Sequence, residues 1–167
     1  MVVNKMKIKL SEKGFTLTEI IITVAIIGII ASIAAPNFYS SDYKVKSVTN
    51  DIYSTMQLAR LKAVSQKVEF RVGFDLDNQS YQLQKGNLSN NSNNWTDETE
   101  VINLPSSVTI DNIDPGDITT GTVNQEFNPD GTSSSGSINI ENTKGKKYKI
   151  DILASTGRIK KDSGWDW

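Results

Sequence analysis

The segment FTLTEIIITVAIIGIIASIAA, residues 15–35, constrains this chain more than any other: 21 residues carrying one charge, Glu19. At about 1.5 Å of rise per residue, a helix of that length spans a hydrocarbon core about 30 Å thick. Membrane insertion explains so Ile-rich a run better than an isolated buried helix does. The preceding residues, 1–14, carry Lys5, Lys7, Lys9 and Lys13 against Glu12 alone. Such a basic flank is expected to stay cytoplasmic, sending the remainder of the chain to the far side.

Three fates are open to this segment. It could be a signal peptide removed after a small-residue pattern such as Ser32-Ile33-Ala34, or a permanent anchor. The third possibility arises from Glu19, because a carboxylate inside an apolar helix costs roughly 2.5–3.5 kcal/mol at mid-bilayer and less near an end. Cleavage between Gly14 and Phe15 would create an α-amino group four residues before Glu19. That separation puts the two charges on one helical face, and an acid in the first turn suits the helix dipole.

The motif KGFTLTE followed by an apolar helix resembles the class III signal of type IV pilins and type II secretion pseudopilins. The matching positions are Gly14, Phe15, Thr16, Leu17 and Glu19, with Pro36 at the site where that family's helix bends. The resemblance implies that a prepilin peptidase cuts after Gly14 and methylates Phe15. It also implies that Glu19 neutralises the Phe15 amine, its own or a neighbour's, as subunits pack into a filament.

Beyond Pro36, which lacks an N–H and should kink or loosen a helix, apolar positions recur at Val45, Val48, Ile52, Met56, Ala59 and Ala63. Steps of three and four predict a helix with one buried stripe. Lys44, Lys46, Asp51, Arg60 and Lys62 fall on the opposite face. One long helix over about 15–66 is therefore expected, half in lipid and half against a head. From Val68 the period changes to two: Val68, Phe70, Val72 and Phe74 alternate with Glu69, Arg71 and Gly73, as in a half-buried strand. A hairpin partner follows at 81–85, and 86–100 is expected to be a long exposed loop. Further strands are predicted at 101–104, 108–110, 122–127, 137–140, 148–153 and 158–160.

The fold class is thus α+β, a pilin-like long helix on a mostly antiparallel sheet. Its parts are a leader at 1–14, an apolar helix at 15–35, an amphipathic continuation at 36–67 and a β-rich head at 68–167. The stretches FNPDGTSSSGSINI and KKYKIDILASTGRIK resemble the C-terminal pattern of the type II secretion minor pseudopilin H and of FimT-like minor pilins. Phe127, Gly131, Gly136 and Gly157-Arg158 carry that likeness.

Other chemistry is narrowly bounded. With no Cys and no His, disulfides, zinc fingers, thiol nucleophiles and imidazole bases are excluded. Catalysis by carboxylates, Lys or a Ser–Lys pair stays formally open, but no such constellation stands out, and no cofactor is implied. The net charge of −1 argues against whole-chain nucleic-acid binding. Some FimT-like pilins bind DNA through a terminal Gly-Arg-x-Arg motif, and Arg158, Lys160 and Lys161 occupy the corresponding positions. Lys in place of the second Arg loses the bidentate fork, so the favoured reading is an edge strand protected by lysines. Asp75/Asp77/Asn78 and Asp111/Asp114/Asp117 are oxygen-rich, without EF-hand spacing, and sit where turns want such residues.

The function expected is that of a minor pseudopilin helping to initiate or tip a secretion filament. The alternative is a minor type IV pilin acting in pilus assembly or DNA uptake. Its partners would be prepilin peptidase, other pilins or pseudopilins, the inner membrane and secreted cargo.

Overall fold

In the computed structural model, residues 14–34 and 41–163 are described, and they fall in two units, Met1–Phe38 and Tyr39–Trp167. In the first, helix α1 spans Leu17–Ala34. Thr16 caps it: the Glu19 N–H donates to Thr16 Oγ1 at 3.2 Å, and the Thr16 carbonyl accepts from the Glu19 and Ile20 N–H groups. The large apolar side chains from Leu17 to Ile30 are exposed on every side of the helix. Among the described residues, no helix is long and apolar enough to cross a membrane; α1 alone, 18 residues, rises only about 27 Å. Pro36, and the expected continuity of the helix through it, lie outside the described residues.

The second unit begins with helix α2, Ser41–Gln66, whose buried stripe contains Val45, Val48, Ile52, Met56, Ala59 and Ala63, the positions that the 3.6-residue period picks out. Among the described residues nine strands follow: β1 Phe70–Asp75, β2 Ser80–Gly86, β3 Trp95–Asp97, β4 Ile102–Asn103, β5 Val108–Asp114, β6 Thr122–Phe127, β7 Gly136–Asn142, β8 Lys147–Leu153 and β9 Arg158–Ser163. They form two antiparallel sheets rather than one. The first runs β3-β2-β1-β6, with β4 also on β2, and the second runs β5-β7-β8-β9.

Helix α2 lies against both sheets, and the alternating inward residues Phe70, Val72, Phe74, Leu83, Phe127, Ile138, Ile140 and Ile150 complete one shared core. Hydrogen bonds join the sheets at two places. The Gln79 side chain receives the Ile110 N–H at 2.7 Å and donates to the Ile110 carbonyl at 3.3 Å. The Gln125 amide donates to the Ser134 carbonyl at 2.6 Å.

Four expected boundaries change. The stretch 86–100 is not wholly loop, because 95–97 pairs with β2 through Gln84↔Asp97, Lys85↔Thr96 and Gly86↔Trp95. Its entry is held by Glu69, whose buried carboxylate accepts the Asn91 N–H at 2.9 Å and the Ser92 N–H at 2.6 Å. The strand expected at 101–104 shrinks to two residues, whereas β5 and β9 extend to Asp114 and Ser163.

Candidate functional site

Gly14 and Phe15 precede α1 outside any helix or strand, and Phe15 is 81% exposed. Glu19 stands in the first turn of α1, exposed, and its carboxylate takes no partner among the described residues. The pattern Thr16-Leu17-Thr18-Glu19 also has capping-box spacing. The Thr16 half of that box is formed, and it places the acid at the dipole's positive end. The capping role of Thr16 was legible in the sequence and is an addition to the cleavage motif.

At the other end of the chain, Arg158, Lys160 and Lys161 all lie on β9, but not together. The register Leu153↔Arg158 and Asp151↔Lys160 puts the first two on the outer face of the second sheet. Lys161 turns instead toward α2, where its ammonium donates to Asn50 and stands 5.4 Å from the Tyr53 ring centroid. The neighbouring cations on the outer face are already matched. Lys147 bridges Glu141 at 3.2 Å and Asp111 at 3.6 Å, and Lys149 reaches Asp151 at 3.1 Å. These carboxylates hold the Lys147 pKa above its ordinary value, the Glu141 bond contributing most. A phosphate backbone would meet a face of mixed sign there, not a basic stripe.

Two of the three glycines of the second resemblance, Gly131 and Gly157, come together, while Gly136 lies in β7 against the Asp114 carbonyl. The turn after β6 carries Gly131 (φ +87°) and the turn after β8 carries Gly157 (φ +56°), a left-handed conformation that glycine adopts without penalty. Arg60 of α2 closes this cluster, donating from Nη2 to the Thr156 carbonyl at 2.9 Å. The helical period had put Arg60 on the solvent face with Lys62. Both are instead tied to the strand-bearing part of the second unit, Lys62 by its ion pair with Glu98 at 2.5 Å. No local signal announces Arg60, since its partner lies 96 residues away.

The oxygen-rich triplets serve turns and strands. Asp75 accepts from the Asn78 side chain and N–H, Asp111 meets Lys147, and Asp114 accepts from Ser137. Among the described residues, no group of three or more His, Cys, Asp or Glu side chains could hold a metal ion.

Comparison with known families decides what this arrangement belongs to. The family described as Type II transport protein GspH matches residues 48–156, well over half of the chain. The chain belongs to that family. The prokaryotic N-terminal methylation motif matches residues 9–35, and it contains Gly14, Phe15 and Glu19. No curated protein sequence matches.

Among solved structures, the fold is similar to the minor pseudopilin EpsH from the type II secretion system of Vibrio cholerae. The TM-score is 0.59 at 11% identity, over 74% of this chain and 99% of that one. It is also similar to E. coli GspH, with TM-score 0.54 and 11% identity over 75% and 90% of the two chains. A third likeness is to the type IV minor pilin FimU of Pseudomonas aeruginosa, with TM-score 0.51 and 15% identity over 74% and 92%.

Both resemblances read from the sequence are therefore borne out, as is the pilin-like α+β fold. Membership of the GspH family makes the chain a pilin-like structural subunit of type II secretion or type IV pili, not an enzyme. The family is membrane-anchored through its N-terminal motif and assembles with other pilins or pseudopilins.

Proposed function

We propose that this chain is a minor pseudopilin of a type II secretion pseudopilus, cut by prepilin peptidase between Gly14 and Phe15 and methylated on Phe15. Residues 15–35 hold the product in the bacterial inner membrane, with residues 1–14 on the cytoplasmic side and the β-rich head in the periplasm. Its helix then packs laterally with other pilins or pseudopilins, where the chain helps to initiate or tip the filament and meets secreted cargo. The observation that carries this reading is α1 itself. Its apolar side chains are uncovered on every side, and its sole acid stands in a capped first turn, four residues from the amine that cleavage creates. In lipid or among neighbouring helices the apolar faces are covered, and the new amine supplies the charge partner that Glu19 lacks.

The likeness to FimU supports a second setting for the same processing and assembly, a minor pilin of a type IV pilus. The matched charges around Arg158 and Lys160 favour assembly over DNA capture in either setting.

The reading is tested by Glu19→Ala. The variant should be processed normally, since Gly14 and Phe15 are intact, yet be depleted from sheared filaments by roughly tenfold, as loss of a partly desolvated ion pair implies. Incorporation equal to that of the unchanged chain would overturn the role of Glu19.

A further inference from the structure

The outer face of the first sheet has a hole at its centre. Gly73 is paired continuously on both sides, to Gln82 of β2 and to Asn124 of β6, with no bulge. Its φ lies outside the left-handed region, and a Cβ built on it would meet only side-chain oxygens, Asn124 Oδ1 at 3.2 Å and Gln84 Oε1 at 3.7 Å. The backbone conformation therefore does not ask for glycine, and the one tight contact is with an exposed side chain that can turn aside. Glycine weakens a strand interior, and where no bulge explains it, close approach of a ligand or of another backbone is a common reason. The vacancy is a trough of about 250 Å³ along β1. Arg71 and Asp75 stand at its two ends, about 13 Å apart along the strand.

The rim is preorganised and polar. The Arg71 guanidinium lies 4.1 Å from the Trp95 ring centroid. Its Nε donates to Gln84 at 2.8 Å, and Gln84 in turn donates to Asp97 at 2.9 Å. The Gln82 amide nitrogen is held by the Thr99 carbonyl at 2.8 Å, leaving its oxygen turned to no donor. The Asn124 amide and Thr122 hydroxyl have no side-chain partner among the described residues.

From this geometry we infer that the trough binds an uncharged, hydroxyl-rich ligand, a short stretch of glycan. Side-chain amides offer a donor and an acceptor in one plane, which matches vicinal hydroxyls. Arg71 is offset by Glu126 across the strand pair and by Asp97 beyond Gln84, and Asp75 stands at the far end, so the trough offers no cationic surface to an anionic ligand. An extended peptide fits less well, because β1 is a central strand whose backbone groups are already used by β2 and β6, and strand addition needs an edge. The inference rests on the first sheet alone and stands whether or not the chain is processed as proposed above.

The test is saturation-transfer NMR on the full chain in detergent, with cellotriose, triacetylchitotriose and the tripeptide Gly-Gln-Gly as probes. At least one saccharide should receive saturation at about 10 mM and bind with a millimolar constant. Binding of triacetylchitotriose alone assigns the site to N-acetylated strands, and binding of both saccharides assigns it to β-linked glycans generally. Gly73→Val fills the trough and Asn124→Ala removes an unpaired amide; each should weaken binding by roughly tenfold. Near-UV circular dichroism checks that each variant is folded, and Asn124→Ala, an exposed position, decides the matter if Gly73→Val does not fold. Silence from both saccharides, binding of the tripeptide alone, or saccharide binding unchanged in the folded variants would overturn the inference.

Discussion

The carbonyl oxygen of Gly131 lies 2.5 Å from the point where a Cβ on Gly157 would stand. Two turns separated by strands β7 and β8 thus touch backbone to backbone, and the same Cβ would be 2.9 Å from Arg60 Nε on α2. Helix and second sheet are locked at one corner because neither turn has a side chain there.

Gly157→Ala should accordingly be costly. The left-handed φ costs about 1 kcal/mol, and displacing a backbone carbonyl adds about 1–3 kcal/mol. A fall of roughly 5–15 °C in the thermal midpoint is expected for a chain of this size. Circular dichroism melting checks it, and a midpoint within about 2 °C of the unchanged chain would show that the corner relaxes freely.

Asn142 does comparable work at the other end of α2. Only 3% exposed, it donates to Asp42 at 2.8 Å and accepts the Lys144 and Lys146 N–H groups at 3.0 and 2.9 Å. Asn142→Ala leaves those groups short of a partner and should lower stability by about 2–3 kcal/mol. Asn90→Ala, on the exposed loop, should stay within about 0.5 kcal/mol. Urea titration of the two variants measures the contrast.

Stability should decline on the acid side. The Asn78 side chain holds the Asp75 carboxyl below its ordinary pKa, Ser137 does so for Asp114, and Thr132 for Asp130. A carboxyl whose pKa is lower folded than unfolded stabilises the fold at any pH above the unfolded value. That contribution is lost as pH falls through the folded value. With an unfolded value of about 3.9, the urea midpoint should be level above about pH 5 and fall below about pH 4. Asp114→Asn should shrink the fall, and an acid limb of equal depth in that variant would contradict the assignment.

Much of this was readable from side-chain period. The stripe Val45 to Ala63 marks α2 because it is buried against both sheets, and 122–127 matches β6 end to end. Strand β3 was missed because Trp95-Thr96-Asp97 has no apolar alternation; it is placed by pairing to β2 and by the Arg71–Trp95 stack. The division into two sheets also escaped a period-two reading, which reports which face is buried but not which strand lies alongside. The processing motif was legible because its residues are contiguous. The Gly131–Gly157–Arg60 corner was not, because its members come from three distant elements.

The most direct test of the account is the intact mass of the protein extracted from membranes of cells with an active prepilin peptidase. The predicted mass is that of a chain beginning at N-methylated Phe15, and Gly14→Val, whose bulk blocks the cut, should retain residues 1–14. A native chain that begins at Ala35, or that keeps Met1 through Gly14 beside the active peptidase, would contradict it.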